Sequence, residues 1–189
     1  KNITEILFEK GFVNTIISTS EITHATPAAF ASHVSSRYEK EEIAKHIYNS
    51  KNHIVLGGGT DYFLPIEEGG IREDGVNFVK KIKKNFHYLE TKKDIDNFNY
   101  IDRKRIFGLF AEDDLERTEF EPNLLEMLDF SIRESKRMIV DGCKGFFIMA
   151  EGSKIDWASH DNDYEYYLKE MQEFEKTVEK ALNFAQENN

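Results

Sequence analysis

Cysteine is nearly absent from this sequence, since Cys143 is the only one. No disulfide can therefore form within the chain, and the fold must be held together by a hydrophobic core. The 15 Phe and 8 Tyr among 189 residues can supply such a core for one domain of ordinary size. Long apolar runs are also lacking, whereas a membrane helix needs about 20 apolar residues. The sequence thus predicts no membrane span.

An excess of positive charge is lacking too, because the 35 Asp and Glu outnumber the 25 Lys and Arg and give a net charge of −10. A polyanion would be repelled by such a protein, which argues against a nucleic-acid partner. The basic run at 79–93 has acidic neighbours and is interpreted as a solvated face. A small anionic substrate is not excluded, because a few cations can reverse the field inside one cleft.

Short apolar segments alternate with helical patterns, which indicates an α/β fold: a mostly parallel sheet with helices on both faces. Strands are predicted at 12–20, 53–59, 86–91, 105–112 and 145–152. Helices are predicted at 2–11, 26–36, 39–50, 75–85, 121–138 and 164–185. An apolar stripe on the last helix is interpreted as core packing. The chain is predicted to be a single domain, with residues 66–102 as a possible surface insertion.

Polar residues follow three predicted strands, at 18–26, 57–61 and 151–160. Ligands of parallel sheets bind outside the carboxyl ends of the strands, so these segments predict a site. The glycines at 57–59 lack the Gly-Lys-Ser/Thr pattern of a phosphate-binding P-loop, and they are interpreted as a tight turn.

The run "GFFIMAEGSKIDWASHD" carries the strongest chemical pattern. If a helix begins near Asp156, then Asp156 and His160 stand at i and i+4 and share a face. A carboxylate and an imidazole suit zinc, whereas Glu151 at the strand end suits a harder ion such as magnesium. The alternative is an ordinary Asp and His on a solvated helix, which is common.

The run "EITHATPAAFASHVSSR" is a second candidate. Arg37, expected near the end of the helix after the strand, could bind phosphate in a bidentate manner if it points into a cleft. Thr26 lies at the helix start. The alternative is that the Thr26 hydroxyl caps its own helix and that Arg37 faces water.

These two runs, with "HIVLGGGTDYF" between them, closely resemble the alkaline phosphatase family over essentially the whole chain. The resemblance implies a three-layer sandwich of which this chain is an incomplete, central part. It also implies hydrolysis of phosphate monoesters through a phosphoserine, with two zinc ions and one magnesium ion. Similar enzymes are usually exported, to the periplasm or outside the cell, and a homodimer is possible.

Individual residues match positions in the family's motifs. Thr26 and Glu151 match magnesium ligands, Asp156 and His160 match ligands of one zinc, and Arg37 matches the residue that binds the substrate phosphate. Two further residues fall near the magnesium and the phosphate, at positions that vary within the family: His24 and Trp157.

Two expected dipeptides are missing. The family's nucleophile lies in an Asp-Ser-Ala turn and further zinc ligands in an Asp-His pair, and neither dipeptide occurs here. We therefore expect the chain to be the middle of a longer enzyme, inactive alone and weak in binding metals. The alternatives are a phosphodiesterase or sulfatase of the same superfamily, or a non-catalytic domain that binds metal or phosphate.

Overall fold

The computed structural model describes residues 1–100, 102 and 104–188. Within them lies one sheet whose five strands are all parallel to their neighbours, in the order β3-β4-β2-β1-β5. The strands are β1 (Phe12–Glu21), β2 (Ile54–Gly58), β3 (His87–Leu89), β4 (Ile106–Leu109) and β5 (Gly145–Glu151). The predicted parallel α/β sheet is confirmed.

Eight α-helices lie in the described residues. They are α1 (Ile3–Glu9), α2 (Ala25–Ala29), α3 (Lys40–Asn49), α4 (Phe78–Asn85), α5 (Lys92–Asp96), α6 (Leu124–Val140), α7 (Lys154–His160) and α8 (Tyr164–Glu187). Short 3-10 turns occupy Thr60–Phe63 and Ile66–Glu68. None of the helices in the described part of the chain is long and apolar enough to cross a membrane.

Two cores, one on each face of the sheet, fill the space between strands and helices. Val13 and Ile17 of β1 pack with Met127 of α6 on one face. Ile16, which points the other way, packs with Ile43 of α3 on the opposite face. This alternation follows from the two-residue period of a strand, and it confirms the predicted layer of helices on both faces.

The predicted helix at 26–36 is wrong in its length, because α2 ends at Ala29. The backbone groups that would continue it are used elsewhere. The Thr4 hydroxyl donates to the carbonyl oxygen of Phe30 at 2.6 Å, and the His33 amide donates to Nδ1 of His46 at 3.1 Å. Arg37 consequently lies in a loop and not near the end of a helix.

The apolar stripe predicted on the last helix is only partly core. Tyr164 and Leu182 of α8 are 70% and 57% exposed, whereas Glu170 and Thr177 are almost fully buried. Phe174 and Phe184 pack against the α6 face of the sheet. The helix therefore docks through a mixed surface, and much of its apolar stripe faces outwards.

Residues 66–102 contribute α4, whose Phe78 and Ile82 are buried in the core, and the edge strand β3. A short helix, α5, lies between the predicted strands at 86–91 and 105–112, where no helix was predicted, and it begins with a capping box between Thr91 and Asp94. The single domain and the surface insertion stay predictions.

Candidate functional site

The candidate site lies where β1 and β5 end side by side. In the register of this parallel pair, Ser18 stands opposite Glu151. The chain leaves β1 towards α2 and leaves β5 towards α7, so both predicted motifs start from one edge of the sheet. The carboxyl end of a parallel sheet is where such folds place their ligands.

Four side chains form what we call the inner group: Ser18, Ser20, Glu151 and Ser153. The Ser18 hydroxyl is fully buried and donates to Oε2 of Glu151 at 3.0 Å. Oγ of Ser18 also lies 2.8 Å from the Ser20 hydroxyl and 3.0 Å from that of Ser153. Glu151, itself half-buried, is thus held directly by Ser18, which the other two serines contact in turn.

Asp156 and His160 form what we call the outer pair. Both lie on α7, and Oδ1 of Asp156 is 3.5 Å from Nε2 of His160. Their side chains are 71% and 79% exposed. The predicted i and i+4 arrangement is therefore present, and a carboxylate oxygen and an imidazole nitrogen stand side by side at the surface.

Arg37, His24 and Trp157 form a continuous line of contacts. The Arg37 guanidinium lies 3.2 Å from Nε2 of His24, and the His24 ring meets the Trp157 ring edge-on at 5.6 Å. Because a guanidinium only donates, Nε2 must accept and the His24 proton sits on Nδ1. That Nδ1 atom is buried and has no hydrogen-bond partner among the described residues. Arg37 is thereby tied to α7, the helix that carries the outer pair.

Thr26 is the second residue of α2, and its side chain is exposed. His24 occupies the N-cap position of this helix and makes no capping hydrogen bond with its side chain. Thr26 and Arg37 therefore both lie on the short segment that follows β1.

Lys154, which the sequence analysis missed, is 5% exposed at the start of α7. Its Nζ lies 2.7 Å from Oε1 of Glu116 and 4.8 Å from the centre of the Trp157 ring. A buried ammonium over an aromatic face holds that ring in place. The available signal was the spacing, because Lys154 and Trp157 stand three residues apart on one helix face.

The loop after β4 was missed as well. Oδ1 of Asp114 accepts a hydrogen bond from the Glu21 amide at 2.7 Å, which ties this loop to the end of β1. Burial, and then the neighbouring charge of Asp113, raise the pKa of Asp114 to about 6, against the attraction of Lys154, His24 and Lys40. The acidic run directly after a predicted strand was the usable signal.

Of the glycines at 57–59, predicted to form a tight turn, Gly57 and Gly58 belong to β2 and only Gly59 begins the turn that follows. Gly59 has a left-handed backbone with φ of 92°, and its amide donates to the Asp113 carbonyl at 2.7 Å. Because that amide is used by the backbone of the loop after β4, it is not free to bind a phosphate.

The donor chemistry fits metal ions in part. The outer pair offers one oxygen and one nitrogen, a combination that suits zinc, and Glu151 with Thr26 offers oxygens that suit magnesium. Zinc normally takes four ligands. In the part of the chain that the structure describes, however, no group of three or more His, Cys, Asp and Glu side chains could hold a metal ion. Each set of donors is thus a partial site.

Alkaline phosphatases of bacteria are similar to this chain. Alkaline phosphatase 3 of Bacillus subtilis (strain 168) is 36% identical over 200 residues, which cover 100% of this chain and 40% of the relative. The alkaline phosphatase of the Antarctic bacterium TAB5 superposes with a TM-score of 0.85 at 29% identity, over 98% of this chain and 52% of that one. A TAB5 variant with Mg bound in its M3 site superposes with a TM-score of 0.81 at 28% identity, over 100% of this chain and 52% of that one.

The chain thus spans about half, or less, of the length of these relatives. Over its own length the similarity is continuous, since the sequence model of the family described as "Alkaline phosphatase" matches residues 1–189. The chain belongs to the alkaline phosphatase family.

Proposed function

We propose that this chain is the part of a metal-dependent phosphomonoesterase that binds the substrate phosphate and supplies some of the metal ligands. The observation that carries the proposal is the line of contacts from Arg37 through His24 to Trp157 on α7. It ties a phosphate-binding cation to the helix that bears the outer pair. The similar TAB5 variant has Mg bound in its M3 site, which supports metal dependence.

Five residues are assigned roles. Asp156 and His160 are proposed zinc ligands, Thr26 and Glu151 are proposed magnesium ligands, and Arg37 is proposed to bind the phosphate. When bound, the metal ions supply positive charge that stabilises the oxygens of a phosphoryl group in transfer. The planar Arg37 guanidinium would bind two non-bridging oxygens in a bidentate fork.

The remaining chemistry belongs to the whole protein. We propose that its nucleophile is a serine outside this chain, which forms a phosphoserine that water then hydrolyses. The isolated chain should therefore not turn over phosphate esters, and it should bind zinc weakly, because two ligands lose most of the affinity of four. A chromogenic phosphate assay and calorimetric zinc titration on the isolated chain test both statements. Export from the cytoplasm and a homodimeric state are further proposals.

Substitutions in the full-length protein test the assignments. Asp156→Ala or His160→Ala should lower bound zinc, measured by elemental analysis, together with hydrolysis of p-nitrophenyl phosphate. Arg37→Ala is the matched control, since it should leave the zinc content unchanged and mainly raise KM and the inhibition constant of inorganic phosphate. Full zinc occupancy in both of the first two variants would refute the ligand assignment.

The substrate class is tested with three esters of the same chromophore. Full-length protein should hydrolyse p-nitrophenyl phosphate faster than bis(p-nitrophenyl) phosphate or p-nitrophenyl sulfate. A preference for the diester or the sulfate would instead favour a phosphodiesterase or a sulfatase. Absence of turnover with all three would favour a non-catalytic binding domain.

A further inference from the structure

We propose that Ser18 is a positioning residue for Glu151, and that its hydroxyl holds one carboxylate oxygen so that the other is presented to a divalent cation. The inference rests on the proposed function, which makes Glu151 a magnesium ligand. It adds a residue that neither the motifs nor the sequence analysis assign to the site.

The register of the sheet creates the contact. Ser18 and Glu151 are paired across β1 and β5, so their side chains leave the sheet at the same level. Ser18 is 0% exposed, and its hydroxyl lies 3.0 Å from Oε2 of Glu151. A hydroxyl buried at such a place needs partners, because an unpaired one is costly.

The direction of the hydrogen bonds follows from the number of protons. A serine hydroxyl has one proton and two lone pairs. The Ser20 amide donates to Oγ of Ser18 at 3.2 Å, and the Ser153 hydroxyl, 3.0 Å away, supplies a second donor. The Ser20 hydroxyl, 2.8 Å away, is a third possible donor to Ser18, and it can donate instead to the Glu21 carbonyl at 3.2 Å. Because a carboxylate oxygen only accepts, the single proton of Ser18 is directed at Glu151.

The arrangement gives the two carboxylate oxygens of Glu151 different roles. Within the described residues, Oε2 accepts the hydrogen bond from Ser18, and Oε1 accepts none. One oxygen is therefore fixed by the protein while the other is left for a ligand. Partners of this kind orient metal-binding side chains, and their removal typically weakens metal affinity about 10- to 100-fold.

The test measures magnesium affinity in the full-length, zinc-loaded protein by calorimetric titration. Ser18→Ala should raise the Mg²⁺ dissociation constant about 10- to 100-fold. Ser18→Thr, which keeps the hydroxyl, should restore it to within about threefold of the unmodified protein, because the hydrogen bond is rebuilt. Ser20→Ala is the matched control: it removes a hydroxyl that touches Ser18 but not Glu151, and it should change the constant by less than about threefold.

Two further variants make the outcome decisive. Glu151→Gln must weaken Mg²⁺ binding if Glu151 is a ligand. Normal binding in this variant would overturn both the ligand assignment and the role of Ser18. Weak binding in Glu151→Gln beside normal binding in Ser18→Ala would overturn the role of Ser18 alone. If Ser18→Ala does not fold, Ser18→Cys replaces it, because a thiol of similar size is a weak donor. Affinity equal to that of the unmodified protein would then count against the inference.

Discussion

The inner group and the outer pair stand at the same edge of the sheet but are held in opposite ways. Ser18 and Ser153 are 0% and 6% exposed; Ser18 donates a hydrogen bond to Glu151 across the neighbouring strand ends, and the Ser153 hydroxyl contacts that of Ser18. Asp156 and His160 are 71% and 79% exposed, and 3.5 Å separates them. The inner group is held by hydrogen bonds within the fold, whereas the outer pair consists of two solvated side chains.

This difference separates stability from function. The serines of the inner group are buried and hydrogen-bonded, so a substitution there should lower the free energy of unfolding. The outer pair gains little from its own weak ion pair, because exposed pairs contribute about 0–1 kcal/mol. Its proposed role is to bind a zinc ion, and that role requires no contribution to the stability of the fold.

The largest effect on stability is expected at Gly58, the last residue of β2. A Cβ at this position would lie 1.9 Å from the carbonyl oxygen of Asp113, which is backbone and cannot retreat. Gly58→Ala should therefore lower the free energy of unfolding by about 3 kcal/mol or more, measured by urea titration. Gly152→Ala serves as a control, because its Cβ would meet a movable Phe174 side chain at 3.1 Å. Equal losses of unfolding free energy in both variants would show that stability does not depend on the close approach of Gly58 to the Asp113 backbone.

The next largest effect is expected at Trp157, on the helix that carries the outer pair. Trp157 packs against His24 and under the Lys154 ammonium, so Trp157→Ala should cost about 2 kcal/mol, less than a fully buried Trp. It should also weaken inhibition by phosphate, because His24 no longer holds Arg37 in place. Trp157→Phe retains an aromatic face and should lose less in both measurements. Unchanged phosphate inhibition in Trp157→Ala would mean that Arg37 is oriented without this line of contacts.

A third prediction concerns pH and the loop after β4. Asp114 is half-buried beside Asp113, with the Glu21 amide donating to it and Lys154, His24 and Lys40 attracting its charge. Its pKa is raised from 3.8 to about 6, so between these values the unfolded chain releases a proton that the native state retains. Stability should fall as pH rises through this window, and the loss ends above pH 6.

Asp114→Asn keeps an oxygen for the Glu21 amide but cannot ionise. Relative to the unmodified protein it should gain about 1 kcal/mol between pH 4 and pH 6, a figure reduced for solvent screening. Urea unfolding of metal-free protein across this range measures the gain. A difference that does not vary with pH would place the charge of Asp114 in contact with water.

The smallest effect is expected at the outer pair. Combined substitution of Asp156→Asn and His160→Gln should change the free energy of unfolding of metal-free protein by less than about 0.5 kcal/mol. The measurement is again urea unfolding, with Ser153→Ala from the inner group as the comparison, expected to lose about 1 kcal/mol or more. Similar losses of unfolding free energy in the double variant and in Ser153→Ala would contradict the contrast between the outer pair and the inner group.

The sequence predicted most of the fold because strand and helix patterns are local. The β-branched run at 12–20 and the apolar run at 145–152 became β1 and β5, and Asp156 and His160 fell on one helix as their spacing required. The end of α2 was not predictable in this way. It depends on Thr4 and His46, which are distant in sequence and bind the backbone at Phe30 and His33.

The same distinction applies to the site. Glu151, Asp156 and His160 are close in sequence, so their pattern could be seen directly. The contact between Ser18 and Glu151 joins residues 133 positions apart, and it exists only because β1 and β5 are neighbours in a given register. No local pattern predicts strand order, which is why the contact between Ser18 and Glu151 could not be predicted from the sequence.

The pairing of β1 with β5 makes the site sensitive to length as well as to composition. Strand side chains alternate between faces, so inserting one residue within β1 upstream of Ser18 would bring Ile17 opposite Glu151. A loop at the other end of the strand could vary freely without that penalty. Evolution of this protein should therefore tolerate insertions before Phe12 far better than any between Phe12 and Ser18, where a single added residue replaces the serine hydroxyl opposite Glu151 with an aliphatic side chain.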